Sequence, residues 1–299
     1  MKLMELDLTC LYCITKKADH LYDLHVSNGT DKLEYIKEIY STISNTKPGA
    51  SSPQVTSEVM NTLKKRIDID AYYQPLKDRS NEFMLSVEDE IREQIKHAED
   101  PLFRAVKYAM VGNFIDFGAM DAVDKATLQK IIDQSDQQAI SKEEYAHFKR
   151  ECLQAKNLVY LTDNAGEIVF DKLLIEQLKQ DFPHLTIHTI VRGMPVYNDA
   201  TFDDAHAVGL TAVTKIYSNG TDMPGTELDE ISDQTRSLID ESDLILAKGQ
   251  GNFESLFGCG KNIYYLFLCK CDLFASRFGL EKYSGVFANE KRLTLGTTS

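Results

Sequence analysis

The segment Asp163-Asn164-Ala165-Gly166-Glu167 stands at an abrupt change of pattern, where the β-favouring run LVYL gives way to the helical run EIVFDKLL. Two carboxylates and an amide at the mouth of a buried strand are hard oxygen donors. With Asp199 from a second strand-ending segment, Asp163 and Asn164 form a ligand set for a divalent cation such as Mg²⁺ or Mn²⁺. Such a set leaves coordination positions for water and substrate. The simpler alternative is that Asp163 caps the next helix and Asn164 shapes the turn. No His or Cys accompanies the set, which argues against zinc at this position.

Other residues suit chemistry on an anion. Gly166 leaves room for backbone amides to approach one, at the N-terminus of a helix that begins with Glu167. Glu167 is favoured there by the helix dipole alone; its functional role would be to orient or deprotonate water. Lys248 ends the apolar run LILAK and precedes Gly249, and Arg192 precedes Gly193. Lysine could neutralise a phosphoryl oxygen and arginine could clamp one in bidentate fashion. For each, the simpler fate is an ion pair with a neighbouring acid. In MVGNFIDFG, residues 110–118, Asn113 and Asp116 share one helix face, and they either find partners in the core or wall a crevice.

These residues need a scaffold that gathers them. After about residue 155, short β-rich runs alternate with helical ones, which predicts right-handed crossovers and a mostly parallel sheet in an α/β fold. Strand ends of such a sheet share one edge, where ligands bind. Segments 163–167, 192–199, 218–227 and 248–254 should therefore meet. Residues 1–150 read as mainly helical. Val87, Ile91 and Ile95 make an apolar stripe, Asp100 and Pro101 open a helix buried through Leu102, Phe103, Val106 and Met110, and residues 31–44 and 55–67 suit helices around a 45–54 loop. The expected division is a helical domain over 1–150 and a Rossmann-like α/β/α domain over 151–299.

Composition narrows the function. With 33 Lys+Arg against 46 Asp+Glu, the 299-residue chain carries a formal −13. That charge disfavours nucleic acid and anionic membrane surfaces. No run approaches the roughly 20 apolar residues of a membrane span, and the acids in MKLMELDLTCLYC break up any secretory core. Six scattered cysteines fit a cytoplasmic protein with reduced thiols. Cys10, Cys13, Cys269 and Cys271 match four-thiolate zinc spacing only weakly, and thiols buried between domains are the better expectation. Nothing demands more than a monomer or weak homo-oligomer. P-loop, dinucleotide-fingerprint and GxSxG patterns are missing, and the D-x-D of haloacid-dehalogenase phosphatases fails after Asp163 because position 165 is Ala.

Together, TDNAGE, RGMPVYNDAT, NGTDMPGTEL, AKGQGNFESL and GNFIDFG closely resemble the motifs of the damage-control phosphatase family, in family order from about Cys10 to about Gly279. Cys10-x-x-Cys13 and Lys270-Cys271 look like its prokaryotic subfamily. The resemblance implies metal-dependent hydrolysis (Mn²⁺, Co²⁺, Ni²⁺ or Mg²⁺) of small phosphorylated metabolites such as sugar phosphates or nucleotides, on a Rossmann-like domain with a helical companion. It maps metal ligands onto Asp163, Asn164 and Asp199, active-site roles onto Glu167, Arg192 and Lys248, and a substrate-facing pair onto Asn113 and Asp116. By the chemistry above, backbone near Gly166, Gly193 and Gly249 would meet the phosphate. The competing classes are an S-adenosylmethionine-dependent carboxyl methyltransferase, an activity once proposed for the family's human relative, and a non-catalytic phosphometabolite-binding protein.

Overall fold

The computed structural model describes residues 6–26, 29–112 and 125–293. Its centre is a six-stranded sheet of order β3-β2-β1-β4-β5-β6, built from β1 (Asn157–Leu161), β2 (Thr186–Val191), β3 (Lys215–Ser218), β4 (Leu244–Lys248), β5 (Ile263–Leu268) and β6 (Gly285–Asn289). The first five are parallel and β6 returns antiparallel to β5. The mixed α/β class expected from the sequence is what forms. The order reverses between β1 and β4, and the crevice at such a switch point is where an open sheet binds ligands.

Period-two alternation divides the strand side chains between two cores. Leu158, Tyr160, Leu244, Leu246, Tyr264 and Leu266 enter one. Val159, Leu161, Ile245, Ala247, Ile263 and Tyr265 enter the other. The first core is covered by α4 (Ile69–Lys96), α5 (Pro101–Val111), α7 (Lys142–Gln154) and α8 (Glu167–Asp181). The second face carries α10 (Asp233–Glu241), α11 (Gly249–Leu256) and α12 (Asp272–Phe278). The first core also takes Ile131 from α6 (Lys125–Gln137) and Ala205 from the short α9 (Phe202–Ala207). Because α4, α5 and α7 share the sheet's core, the expected boundary at 150/151 runs through one continuous apolar cluster.

A third core belongs to a cap of α1 (Leu8–His25), α2 (Lys32–Ser44) and α3 (Ser52–Lys64), with Ile69, Val196 and Tyr197 joining it. Helix α3 starts earlier than the periodicity suggested. Ser51 and Gln54 make a capping box with Pro53 in the first turn, so residues expected in the loop open the helix. Helix α5 begins as predicted, with Asp100 accepting from the Phe103 amide, although Phe103 itself is only half-buried. The Val87, Ile91 and Ile95 stripe is buried as predicted, each side chain contributing about 1.5–3 kcal/mol. Among the described residues, no helix is long and apolar enough to cross a membrane.

Candidate active site

Two strand-ending loops meet beside the switch point. Asn164 and Asp199 form an isolated antiparallel bridge, and Arg192 and Thr201 a parallel one. The Ala200 amide donates to the Asp163 carbonyl at 2.8 Å and the Ala165 amide to that of Asn198 at 2.8 Å. This small backbone ladder brings the predicted metal-binding residues together. Asp163 Oδ1 lies 3.7 Å from Arg192 Nη2, and Asp199 Oδ2 accepts from Arg192 Nε at 2.6 Å. Both carboxylates thus reach one common cation, the guanidinium, which is 3% exposed. Asn164 donates to Asp163 and, at 3.2 Å, to Glu167 Oε2.

Arg192 is less available than a bidentate phosphate clamp requires. Its Nη1 donates to Gly225 O at 3.0 Å and Asn252 Oδ1 at 3.0 Å, and Nε is held by Asp199. Only Nη2, beside Asp163, is buried with no hydrogen-bond partner among the described residues. Lys248 likewise takes the ion-pair fate. Fully buried, its Nζ donates to Glu167 Oε1 and Asp171 Oδ1, each at 2.6 Å. Burial alone would lower its pKa, but the Asp171 and Glu167 carboxylates outweigh that and hold the ammonium well above its ordinary value.

The acids feel the opposite pressure. Burial, then the neighbouring Glu167 and Asp199 charges, push Asp163 well above the usual carboxylate range. Burial also raises Asp199 against the opposing pull of Arg192, and raises Asp171 to about 6. Asp163, Glu167, Asp171 and Asp199 pair directly with Arg192 and Lys248, while Lys17 and Lys77 act on Asp199 from further away. Among the described residues, no three His, Cys, Asp or Glu side chains form a metal-holding group. The donor set consists of two carboxylates and an amide, and its hard oxygens fit a divalent cation of the Mg²⁺ or Mn²⁺ type.

Above this cluster opens a cavity of about 730 Å³, lined by Asp163, Asn164, Glu167 and Asp199 on its floor. Segments from the ends of β1, β2, β3 and β4 all reach it, through residues such as Glu167, Asn198, Pro224 and Gly251. Gly249 has φ +79°, and a Cβ there would fall 2.1 Å from Asp163 Cγ. With Gln250 and Gly251 it forms the first turn of α11, whose amides have no helical carbonyl to meet. Gly166 (φ +77°) is tightly packed, and its N–H is taken by Asn81 Oδ1 at 2.7 Å instead of facing a ligand. The Gly193 amide is similarly engaged by Asn219 and Thr221, and a Cβ would strike the Gly220 backbone. Asn113 and Asp116 lie outside the described residues.

Several site residues escaped sequence reasoning. Asp171 stands four residues after Glu167, a spacing that was readable. Asn252, four after Lys248, donates to the Lys248 and Thr162 carbonyls while accepting from Arg192. Tyr160 donates to Asp171 Oδ1 at 2.7 Å. Cys10, Cys13 and Cys271 line the cavity, and all the described cysteines are free thiols. Burial raises Cys10 to about 11.

Residues 7–286 match the model of the damage-control phosphatase ARMT1-like domain. The chain belongs to that family. An uncharacterized protein of Methanocaldococcus jannaschii is 29% identical over 286 residues, covering 91% of each chain. A damage-control phosphatase of Archaeoglobus fulgidus is 32% identical over 237 residues, 77% of this chain and 81% of that one. The fold matches the crystal structure of a DUF89 family protein from Pyrococcus horikoshii with a TM-score of 0.84 at 25% identity, over 96% of this chain and 99% of that one. Membership in the ARMT1-like family, with relatives named damage-control phosphatases, supports a phosphatase role for this chain.

Proposed function

We propose that the chain is a divalent-metal-dependent phosphomonoesterase acting on small phosphorylated metabolites. The observation that carries this is a cluster of four acids paired directly with two bases, with Asp163, Glu167 and Asp199 lining a cavity of about 730 Å³. A cavity of that size suits a sugar phosphate or nucleotide. Asp163, Asn164 and Asp199 are the residues that would hold the ion; when bound, it supplies Lewis-acid stabilisation of phosphoryl charge and places water at the phosphorus. Arg192 fixes Asp199 and presents Nη2 beside Asp163. Glu167, gripped by Lys248 at Oε1, faces the cavity as an oriented acceptor for a water proton. The first-turn amides of α11 are the donors for phosphoryl oxygens.

Phosphate release from para-nitrophenyl phosphate, measured with Mn²⁺, Co²⁺, Ni²⁺ or Mg²⁺ and after chelation, tests the proposal. Hydrolysis should need the metal and vanish in Asp163→Ala; turnover surviving either treatment overturns it. The stereochemistry at phosphorus of a chiral, isotopically labelled phosphoryl group then distinguishes the route. Retention means two displacements through a phosphorylated Asp163, and inversion means direct attack by water. A panel of phosphorylated metabolites identifies the natural substrate class.

A further inference from the structure

Helix α4 carries a buried polar group that the site chemistry above does not use. Lys77, Ser80 and Asn81 fall on one helix face by their three- and four-residue spacing. Lys77 Nζ pairs with Asp204 Oδ2 at 2.7 Å, with both side chains 2% exposed. Asn81 Nδ2 donates to Asp204 Oδ1 at 3.0 Å, while Asn81 Oδ1 accepts the Gly166 N–H at 2.7 Å. The other oxygen of Asp204 also accepts from the Thr201 amide and hydroxyl, each at 2.8 Å. A Cβ on Gly166 would lie 2.9 Å from Ser80 Cβ, so loop and helix are in van der Waals contact there.

The connections form a closed circuit. Gly166 ends the loop that carries Asp163 and Asn164, and Thr201 ends the loop that carries Asp199. The two loops pair through the backbone at Asn164 and Asp199. Asn81 and Asp204 join their far ends, and Lys77 neutralises the only carboxylate in the joint. A buried ion pair is costly to form and costlier to half-remove, so it contributes little as a mere stabiliser. Its better-supported use is to fix one arrangement. An asparagine suits the middle of the circuit because it accepts on one side and donates on the other.

Building on the phosphatase assignment, we infer that Asn81, held by the Lys77–Asp204 pair, is a positioning residue that sets the 163–166 loop against the 198–201 loop. In doing so it fixes the spacing of Asp163, Asn164 and Asp199. It touches neither substrate nor metal. It also withdraws the Gly166 N–H from the donors that face a ligand, leaving that task to α11.

A two-residue exchange tests this. Asn81→Asp removes the donor and sets two carboxylates face to face; Asp204→Asn turns its NH₂ on a donor either way, Asn81 Nδ2 on one side or Lys77 and the Thr201 amide on the other. Combined, the amide at position 204 donates to the carboxylate at position 81. Gly166 keeps its acceptor, and the buried charge is unchanged. Each single variant should lower kcat on para-nitrophenyl phosphate by about 10- to 100-fold, with KM within about threefold, since small misplacements of reacting groups cost rate more than binding. Each should also speed hydrogen exchange at the Gly166 amide, and the double variant should recover both measurements. Single variants with wild-type kcat and exchange overturn the inference, as does a double variant that fails to fold or does no better than the worse single. A wild-type protein that releases no phosphate from any monoester sinks the phosphatase assignment instead, and the exchange rates alone then decide whether the clamp exists.

Discussion

Asp171 shares Lys248 with Glu167, yet lies one helical turn deeper and has one oxygen, Oδ2, with no hydrogen-bond partner among the described residues. Burial lifts it to about 6, against roughly 3.9 for an aspartate in the unfolded chain. A folded-state value above the unfolded one means the native protein holds the extra proton. The associated stability is full below about pH 4 and lost as pH rises toward about 6. Relative to Asp171→Asn, the wild type should lose up to about 3 kcal/mol across that window, read from urea midpoints at each pH. Parallel curves would contradict it. Asp163 makes a complementary case, since burial and two neighbouring acids oppose its charge. Asp163→Asn should raise the melting temperature of the metal-free protein by about 2–4 °C, the shift about 1 kcal/mol gives. Activity should fall by more than about a hundredfold. Calorimetry and phosphate release check the two halves separately.

At the scale of elements, the strands and the loops that end them were legible. Parallel strands buried on both faces read as unbroken apolar runs such as LVYL and LILAK. Their carboxyl ends must lie together, so the pairing of Asp163 with Asp199 is legible in the sequence. What each buried cation chooses as partner was not legible. Lys248 meets an acid 77 positions away and Asn81 meets a glycine 85 positions away, distances over which local spacing says nothing. Nor could periodicity tell which core a helix joins. The stripes of α3 and α4 look alike, yet one lies in the cap and the other lines the sheet. The turn from β4 into α11 shows how tightly an element end can be specified. Gly249→Ala would need a left-handed backbone and would place a methyl where Asp163 sits. It should cost at least about 1–2 kcal/mol from backbone strain alone and displace the carboxylate. Loss of activity greater than the loss of stability, measured on the same preparation, checks that order.

Taken as a whole molecule, cap and sheet share core residues through two segments, beside direct contacts such as Ser57 with Asp222 and Asp7 with Arg277. Helix α4, 28 residues and about 42 Å long, contributes Ile69 to the cap core and Phe83 to Ile95 to the sheet core. The β2 loop runs the other way, burying Val196 and Tyr197 among α1 to α3. Tyr197 holds a left-handed φ of +47°, packs edge-on against Tyr73 at 5.7 Å and carries Lys17 Nζ 3.6 Å above its ring. Such strain in a non-glycine residue persists only where packing over-determines it. Tyr197→Ala should destabilise by about 3 kcal/mol, and Tyr197→Gly by about 1 kcal/mol less because it relieves the backbone. Chemical denaturation of both variants separates packing from strain. The same plug constrains traffic. A roof stitched to its own floor two residues from Asp199 cannot lift without dragging that aspartate along. A small phosphorylated molecule is therefore expected to enter past the exposed Tyr12, Cys13 and Lys16 of α1, without the cap lifting.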